Sequence, residues 1–310
     1  MTLIQPPLMV NGATHSARVL RMMTRNLAWS NQGVIEGNDL KVRQLTTPGA
    51  GVRVGDGAAT LMGAMSRSQG AYTQTNVGDS TVPIAPTGAS ARNDLLVLRV
   101  QDPEYEGVLD PAKDDIGFFD VIPGVSSTAT TAPAGMTAIG LARIQIPANT
   151  ATITDGMIKD VRKIANPRRE RRLLTAFPNA MSQLTYSDNK WHTWPTAASW
   201  SVTIPPWAAT ATLMVTIAGL RMSKANVFAR MQTSIGGDLG QDTYIDDNQG
   251  SAIRRQTVMI ADTVTISAGQ RGTTQSLKLS TYMYKSETGD LSVDVGTSIV
   301  ADLEFVEGLS

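Results

Sequence analysis

The chain contains no cysteine and only two histidines among its 310 residues. The absence of cysteine excludes disulfide frameworks, thiolate metal sites and cysteine nucleophiles. His15 and His192 are far apart in the sequence, whereas a Ser-His-Asp device or a metal site needs a histidine beside further partners. We therefore interpret His15 as a residue at a helix start and His192 as a packing residue, and we predict no cofactor and no resident metal.

The chain also lacks an excess of charge of one sign and any long apolar run. Lys plus Arg and Asp plus Glu both number 27, so no overall field draws the chain to nucleic acid or to an anionic membrane. No stretch approaches about 18 uninterrupted apolar residues, and residues 1–10 show no basic leader before an apolar run. We predict neither a nucleic-acid partner nor membrane insertion.

The common catalytic motifs are missing as well. The sequence has no Gly-x-Ser-x-Gly elbow, no Walker loop and no His-Glu-x-x-His run. The glycines at 49, 51, 55 and 57 would suit a phosphate cradle only inside a βαβ unit, and the alternating residues around them predict hairpin turns instead. We predict that the chain is not an enzyme, although a carboxylate pair for glycan cleavage stays open because such residues meet only in the fold.

Hydrophobic residues make up 42% of the chain, which is enough to build packed cores. Most of them recur with the two-residue period of β-strands. The exception is residues 14–27, where apolar residues recur at helical spacing with arginines between them and Thr14 or Ser16 can cap the helix. Strands are predicted at 40–44, 52–54, 71–83, 94–100 and 138–146, with a loop at 123–135 and a short helix that Thr154 caps and that runs to Val161.

Beyond residue 181 the alternation becomes more uniform and no helix is predicted. Strands are predicted at 200–204, 211–217, 254–260, 263–267, 275–285, 291–295 and 299–305, and Leu277, Leu279 and Met283 share one face. Short, regularly spaced strands with turns between them favour a sandwich or jelly roll. The predicted class is mainly β: a β-rich N-terminal module with one or two short helices, then an antiparallel, jelly-roll-like β-sandwich.

The length favours two domains over one core. The composition changes at residues 166–172, where Pro167 disfavours a helix at the residue before it. We predict an attachment or assembly domain at 1–165, a linker at 166–180 and a β-sandwich domain at 181–310.

Two groups of residues are candidates for partner or ligand contact. The first is the arginine run around Glu170, and we weigh an interface equally against a solvated linker; its members are Arg168, Arg169, Arg171 and Arg172. The second is the tryptophan-rich stretch, in which Trp200 is in phase with a core face. Trp191 and Trp194 are therefore the candidates for an exposed sugar or protein contact, with packing at a junction as the alternative.

An acidic loop at 238–250 contains Asp238, Asp242, Asp246 and Asp247. Calcium prefers such oxygen ligands, but the EF-hand spacing and its distal glutamate are absent. A solvated loop is the default interpretation.

Three stretches of the first half, in this order, resemble the N-terminal domain of minor tail proteins of siphophages, especially those that infect actinobacteria. They are DLKV at 39–42 with TPGAGVRV at 47–54, ARNDLLVLRV at 91–100 with DPEY at 102–105, and LARI at 141–144 with TITDGMIKDVR at 152–162. The resemblance implies a virion component of the tail tip or baseplate that docks on other tail proteins, assembles as a homotrimer and attaches through its first module.

This sequence departs from many members of that family, because no repetitive shaft separates its two modules. We therefore favour a compact baseplate piece over a long fibre. The leading hypothesis is a structural tail-tip or baseplate protein. The alternative is a receptor-binding adhesin whose C-terminal sandwich recognises host-surface carbohydrate. A wall hydrolase carried by the tail is the third hypothesis, and the thin set of titratable residues argues against it.

Overall fold

The computed structural model describes residues 10–12, 14–185, 187–285 and 288–309. Strands account for 47% of the residues and helix for 6%, so the predicted mainly β class is confirmed. The chain divides into two compact units, Met1–Pro167 with Leu309–Ser310, and Arg168–Gly308. Within the described ranges no helix combines the length and the apolar character needed to cross a membrane.

The described part of the first unit consists of one α-helix, three small antiparallel sheets and two 3-10 turns at Arg67–Gln69 and Asp155–Met157. Its helix and strands are α1 (Ala17–Leu27), β1 (Gly33–Val34), β2 (Val42–Gln44), β3 (Gly51–Val54), β4 (Gly57–Met62), β5 (Ala71–Asn76), β6 (Ser80–Pro83), β7 (Arg92–Val100), β8 (Gly117–Ile122), β9 (Ala138–Ile146) and β10 (Ile158–Asp160). The sheet orders are β1-β4-β5, β2-β3-β6 and β10-β9-β7-β8.

The core of the first unit lies between these sheets. The two longest strands, β7 and β9, pair along most of their length and are almost continuously buried, as expected for strands covered on both faces. Leu96, Leu98, Leu141 and Ile144 bring them into one cluster with the apolar residues of β3 and β4. These two strands therefore form the centre of the unit.

Two local predictions for this unit can be compared directly. Ser16 caps α1, because its Oγ accepts a hydrogen bond from the Val19 N–H at 3.4 Å, so the helix start predicted there is confirmed. The helix predicted after Thr154 is wrong: only a 3-10 turn forms, and Ile158 then pairs with Ile144 of β9. Tertiary pairing overrides the local apolar spacing at this point.

The glycine-containing turns connect strands, as predicted. β2 and β3 form a hairpin in which Val42 pairs with Val54. Gly57 opens β4 with φ +138°, and a Cβ at this position would lie 2.5 Å from the Cα of Asp39. The turn requires glycine for both conformational and steric reasons.

The second unit is built from twelve described strands. They are β11 (Arg169–Ala176), β12 (Ser182–Gln183), β13 (Trp191–Thr193), β14 (Ser199–Thr203), β15 (Ala208–Ser223), β16 (Val227–Ile235), β17 (Asp238–Leu239), β18 (Thr243–Asp247), β19 (Arg254–Thr265), β20 (Thr274–Met283), β21 (Asp290–Val293) and β22 (Ser298–Glu307). The runs predicted separately at 254–260 and 263–267 form the single strand β19.

The strand order defines a jelly roll. One sheet contains β11-β22-β15-β19 and the other β14-β20-β16-β18. The short strands β21, β13 and β17 pair with β15, β20 and β16, β12 pairs with β21, and every pair is antiparallel. Numbered along the chain, the eight strands follow the orders 1-8-3-6 and 2-7-4-5, the double-sheet arrangement of a jelly roll. The predicted sandwich is confirmed.

Residues from both sheets fill the space between them. Phe305, Leu213, Ile217, Leu279 and Met231 belong to one buried cluster, and on each long strand they alternate with outward side chains, as the pleat requires. We call the β14-β20-β16-β18 sheet, with β13 and β17, the aromatic sheet because of the residues on its outer face.

The segment predicted as a linker, 166–180, is not one. Arg169–Ala176 forms strand β11 and pairs with β22 from Arg169 opposite Val306 to Ala176 opposite Ile299. Its inner side chains alternate with exposed ones, so the segment contributes to the sandwich. The run of arginines hides this alternation from a sequence-based prediction.

Candidate functional site

The two tryptophans predicted to be exposed have different environments. Trp194 is only 4% exposed and belongs to the core of the sandwich, so its prediction as a contact residue is wrong. Trp191 is half-buried on the outer face of the aromatic sheet. Trp200 packs against the core and its Nε1 donates to the carbonyl of Thr175 at 3.2 Å.

Trp191 is one end of a row of four side chains that crosses the aromatic sheet. Trp191 on β13 pairs with Tyr282 on β20, Tyr282 pairs with Arg230 on β16, and Arg230 pairs with Tyr244 on β18. Residues directly opposite one another on antiparallel strands have Cβ atoms about 4.5–5.5 Å apart. The register therefore brings into contact residues that are up to 91 positions apart in sequence (191 to 282).

A second pair of rings adjoins this row. Phe228 stacks on Tyr284 at 4.6 Å between centroids and on Tyr244 at 5.8 Å. Tyr284 also contacts Tyr282 edge-on at 5.0 Å. We call the row and this pair together the aromatic cluster: Trp191, Phe228, Arg230, Tyr244, Tyr282 and Tyr284.

Arg230 occupies the middle of the aromatic cluster. Its guanidinium carbon lies 4.5 Å from the ring centroid of Tyr282 and between 5.4 and 5.8 Å from those of Trp191, Tyr284 and Tyr244. Cation–π attraction at such distances contributes about 0.5–1 kcal/mol per exposed pair. Arg230 therefore holds rings from three different strands against one another.

The charge of Arg230 is balanced locally. Its Nη1 lies 2.9 Å from the Oδ2 of Asp242. Asp246, on the same strand face as Tyr244, pairs in register with Phe228 and accepts a hydrogen bond from Asn248. Removal of water from the Tyr284 hydroxyl raises the pKa of that group. The cluster thus combines neutral ring surface with one paired cation.

A row of neutral polar residues runs parallel to the aromatic one. Thr193 pairs with Ser280, and Ser280 pairs with Gln232. These residues are two positions away from Trp191, Tyr282 and Arg230, so they lie on the same face of the sheet. The hydroxyl groups of Thr193 and Ser280 can both donate and accept hydrogen bonds, whereas Gln232 is only 6% exposed.

The arginine run is paired within its own unit. Arg168 makes a salt bridge with Glu307 at 2.6 Å and stacks on the Trp207 ring. Arg169 pairs with Glu304 at 3.3 Å, Arg171 with Asp302, and Arg172 with Glu170 at 2.5 Å. Hydrogen bonding from the Arg171 guanidinium lowers the pKa of Asp302. The pairs of Arg168, Arg169 and Arg171 join the start of the sandwich to its last strand, whereas the pair of Arg172 and Glu170 lies within β11.

The remaining sequence candidates lie elsewhere. His192 belongs to β13 of the aromatic sheet, and its Nε2 is 2.9 Å from the Oδ1 of Asp188. His15 adjoins the cap of α1. The acidic loop is partly strand, since β17 and β18 contain Asp238, Asp246 and Asp247. Within the residues that the structure describes, no three His, Asp or Glu residues lie close enough together to hold a metal ion.

A second candidate surface is helix α1, whose arginines face the body of the first unit. Arg21 contacts Asp102 at 3.1 Å and Glu104 at 2.6 Å, and its Nε donates to the carbonyl of Gln69 at 2.9 Å. Arg25 donates to the carbonyl of Arg67 at 3.0 Å. The helix is therefore anchored through its cationic side.

Ionisation of Glu104 supports this anchoring. Hydrogen bonds from Arg18 and then Arg21 lower the pKa of Glu104 to about 2. The neighbouring Tyr72 hydroxyl donates to Asp102 at 2.7 Å, and burial followed by this hydrogen bond raises the pKa of Tyr72. The result is a connected polar contact beneath the helix.

The apolar side of α1 faces away from this contact. Leu20 is 46% and Leu27 71% exposed, with the half-buried Met23 between them. We call these three residues the apolar ridge. Trp29, directly after the helix, is 82% exposed, and no residue of α1 is buried. An amphipathic helix ordinarily turns its apolar stripe toward the core, so α1 is inverted.

Sequence reasoning missed most of the aromatic cluster, although one signal was available. The inward phase predicted for Leu277, Leu279 and Met283 places Tyr282 and Tyr284 on the opposite face. Phe228 and Arg230 are likewise two residues apart. Alternation indicates that such residues face outward, but only strand register shows that they meet.

Comparison with known proteins assigns the chain to no family. No protein-family model matches the chain, and no curated protein matches its sequence. Solved structures similar to it include that of the T13 IBDV viral particle, with 11% identity over 95% of this chain and 79% of that chain and a TM-score of 0.28. The infectious bursal disease virus Gx strain gives 11% identity, 90% and 70% coverage and a TM-score of 0.30.

A third similar structure is the Cry4Aa toxin from Bacillus thuringiensis, with 9% identity, coverage of 90% of this chain and 54% of that chain, and a TM-score of 0.21. Likenesses at these identities and TM-scores carry no argument about function. The jelly-roll assignment rests on the strand order of the chain itself.

Proposed function

We propose that this protein is a non-enzymatic structural component of a bacteriophage tail tip or baseplate, in which the first unit attaches the chain to other tail proteins. The observation that carries the proposal is the inversion of α1. A helix anchored by arginines that turns its apolar ridge outward is suited to burial against another protein. The resemblance at residues 39–162 supports the virion as the place where that burial occurs.

The same surface supports a proposed mode of assembly. Leu20, Met23 and Leu27 have the i, i+3, i+7 spacing of a helix–helix contact, and the cations of α1 are turned to the body of the unit. A homotrimer in which the first unit mediates assembly is consistent with both features. Neighbouring tail proteins are the other partners in this proposal.

The test is incorporation into virions. We expect mass spectrometry of purified particles to detect the chain, and labelling in electron microscopy to locate it at the tail tip. Leu27→Glu is expected to reduce incorporation strongly, because it places a charge in the ridge. Asn26→Glu, a change at another exposed position of the same helix but outside the ridge, is the matched control. A chain absent from the tail, or equal incorporation of both variants, contradicts the proposal.

A second candidate function is adhesion, favoured by the aromatic cluster on the jelly roll. In this alternative the second unit contacts host-surface carbohydrate, and Trp191, but not the buried Trp194, takes part. Particles that carry Tyr244→Ala are expected to adsorb to host cells more slowly at unchanged incorporation. Adsorption equal to that of wild-type particles contradicts this alternative.

A further inference from the structure

We propose that the aromatic cluster is a binding site for an uncharged polysaccharide chain, read by Trp191, Tyr244 and Tyr282, with Arg230 and Asp242 as a positioning pair. The inference rests on the adhesion alternative above and specifies its ligand. Four properties of the site carry it: its shape, its ring surface, its polar row and its charge.

The site is an open, elongated surface. The row from Trp191 to Tyr244 crosses four neighbouring strands, and three inter-strand spacings of about 4.8 Å give a length of about 14 Å. Tyr244 at one end is 57% exposed. This shape suits a run of a few consecutive sugar rings in a longer chain, whereas small molecules prefer enclosed clefts.

The chemistry of the two parallel rows matches the two kinds of surface on a sugar. The aromatic row supplies apolar ring surface for the C–H faces of pyranose rings. Thr193 and Ser280 lie beside it on the same face and can donate to and accept from sugar hydroxyls, whereas Gln232, the next residue along, is only 6% exposed. A protein hot spot would share the rings but would not need neutral hydroxyl groups beside them.

The charge of the site selects against polyanions. Arg230 is the cation of the cluster and is already paired with Asp242 at 2.9 Å. Asp246 lies on the same face beside Tyr244 and adds a negative charge. An anionic polymer would have to displace Asp242 from Arg230 and approach Asp246, and both changes cost electrostatic energy.

Arg230 acts through the rings and need not touch the sugar. Its guanidinium lies within 5.8 Å of four ring centroids, so it determines their mutual orientation. Lysine retains the charge but lacks the planar group that stacks on rings. Arg230→Lys is therefore expected to change ring orientation, visible in the near-ultraviolet circular dichroism, together with binding.

The experiment uses the full-length chain and polymers of defined charge. Affinity electrophoresis and calorimetry would be run with dextran, galactan and galactomannan as neutral probes and with polygalacturonate and dextran sulfate as anionic ones. We expect at least one neutral polymer to bind and the anionic ones to bind more weakly. Tyr244→Ala and Trp191→Ala should each weaken binding by about 3- to 10-fold, the loss of one stacked ring.

Trp29→Ala is the matched control, since Trp29 is an exposed tryptophan of the first unit, and it should leave binding unchanged. Thermal unfolding of each variant separates loss of binding from loss of folding. Binding of no neutral polymer, preference for the anionic probes, or equal loss in Trp29→Ala overturns the inference. Because incorporation into virions is measured independently, a tail component that binds no polysaccharide would refute this inference and leave the structural role intact.

Discussion

Replacement of Trp194 by alanine tests the assignment of this residue to the core rather than to a contact surface. Trp194 is 4% exposed, and truncation of a buried tryptophan to alanine costs about 3–5 kcal/mol. For a unit of this size the midpoint of its thermal transition should fall by about 10–20 °C. The Thr281 hydroxyl of β20 donates to the Trp194 backbone carbonyl at 2.9 Å, and this hydrogen bond does not involve the side chain that the variant removes.

Two companion variants make the result specific. Trp194→Phe leaves a cavity on the order of 40 Å³, which at about 24 cal/mol per Å³ costs about 1 kcal/mol. It also removes an indole N–H that is buried without a hydrogen-bond partner among the described residues, and such a group costs about 1–3 kcal/mol. The two effects together predict a stability between that of the wild type and about 2 kcal/mol above it. Trp191→Ala should cost about 1–2 kcal/mol, from half-buried surface and one cation–π contact.

The assay is calorimetric unfolding of the full-length chain, in which the transition of the second unit is followed separately because two-unit chains need not unfold in one step. Urea titration of the same variants supplies the free energies. The reasoning is refuted if Trp194→Ala costs less than about 1 kcal/mol, or if Trp191→Ala is the more destabilising of the two.

Three further predictions concern the two units separately. Gly57→Ala should lower the free energy of unfolding by about 2 kcal/mol or more, because residue 57 has a φ of +138° and a Cβ there would clash with Asp39. Gly88→Ala, where a Cβ would meet nothing within 4 Å, should change it by less than about 1 kcal/mol. Urea unfolding of both variants measures the difference. Leu303→Ala, at a fully buried position, should lower the free energy of unfolding by about 2–5 kcal/mol. Leu173→Ala, at a position 65% exposed on the paired strand, should lower it by less than about 0.5 kcal/mol. Similar losses in the two variants would contradict the assignment of Leu303 to the inner face and Leu173 to the outer face. The pKa of Glu104 in the folded state is lowered from 4.5 to about 2. The stabilisation of α1 by ionised Glu104 should therefore be complete above about pH 4.5 and be lost as the pH falls toward 2. Hydrogen exchange of the α1 amides should show this acid dependence in the wild type and not in Glu104→Gln.

The sequence carried most of the information about class and strand phase. In β20, the alternation of Leu277, Leu279 and Met283 predicts which side chains face the core, and the structure buries all three. This prediction succeeds because the pleat makes side-chain direction a local property with a period of two. The cap at Ser16 is equally local, since the acceptor and the donating amide are three residues apart.

Local patterns were insufficient where the outcome depends on distant partners. The arginine run looks like a linker until its carboxylate partners on β22, 131 and 139 residues away, are known. The helix predicted after Thr154 does not form, because Ile158 pairs with β9 instead. In each case the deciding free energy comes from a contact that the local sequence does not contain.

By itself, then, the sequence determined a mainly β protein without cysteine chemistry, the alternation of its strands, and a helix predicted at residues 14–27, which the structure has at Ala17–Leu27. Only the tertiary structure decided that Trp194 is buried while Trp191 is at the surface, that six residues from four parts of the chain form the aromatic cluster, and that α1 turns its apolar ridge outward. The physical reason is the same for all three. Periodicity specifies the face on which a side chain lies, whereas its neighbours depend on strand register and packing between segments far apart in the chain.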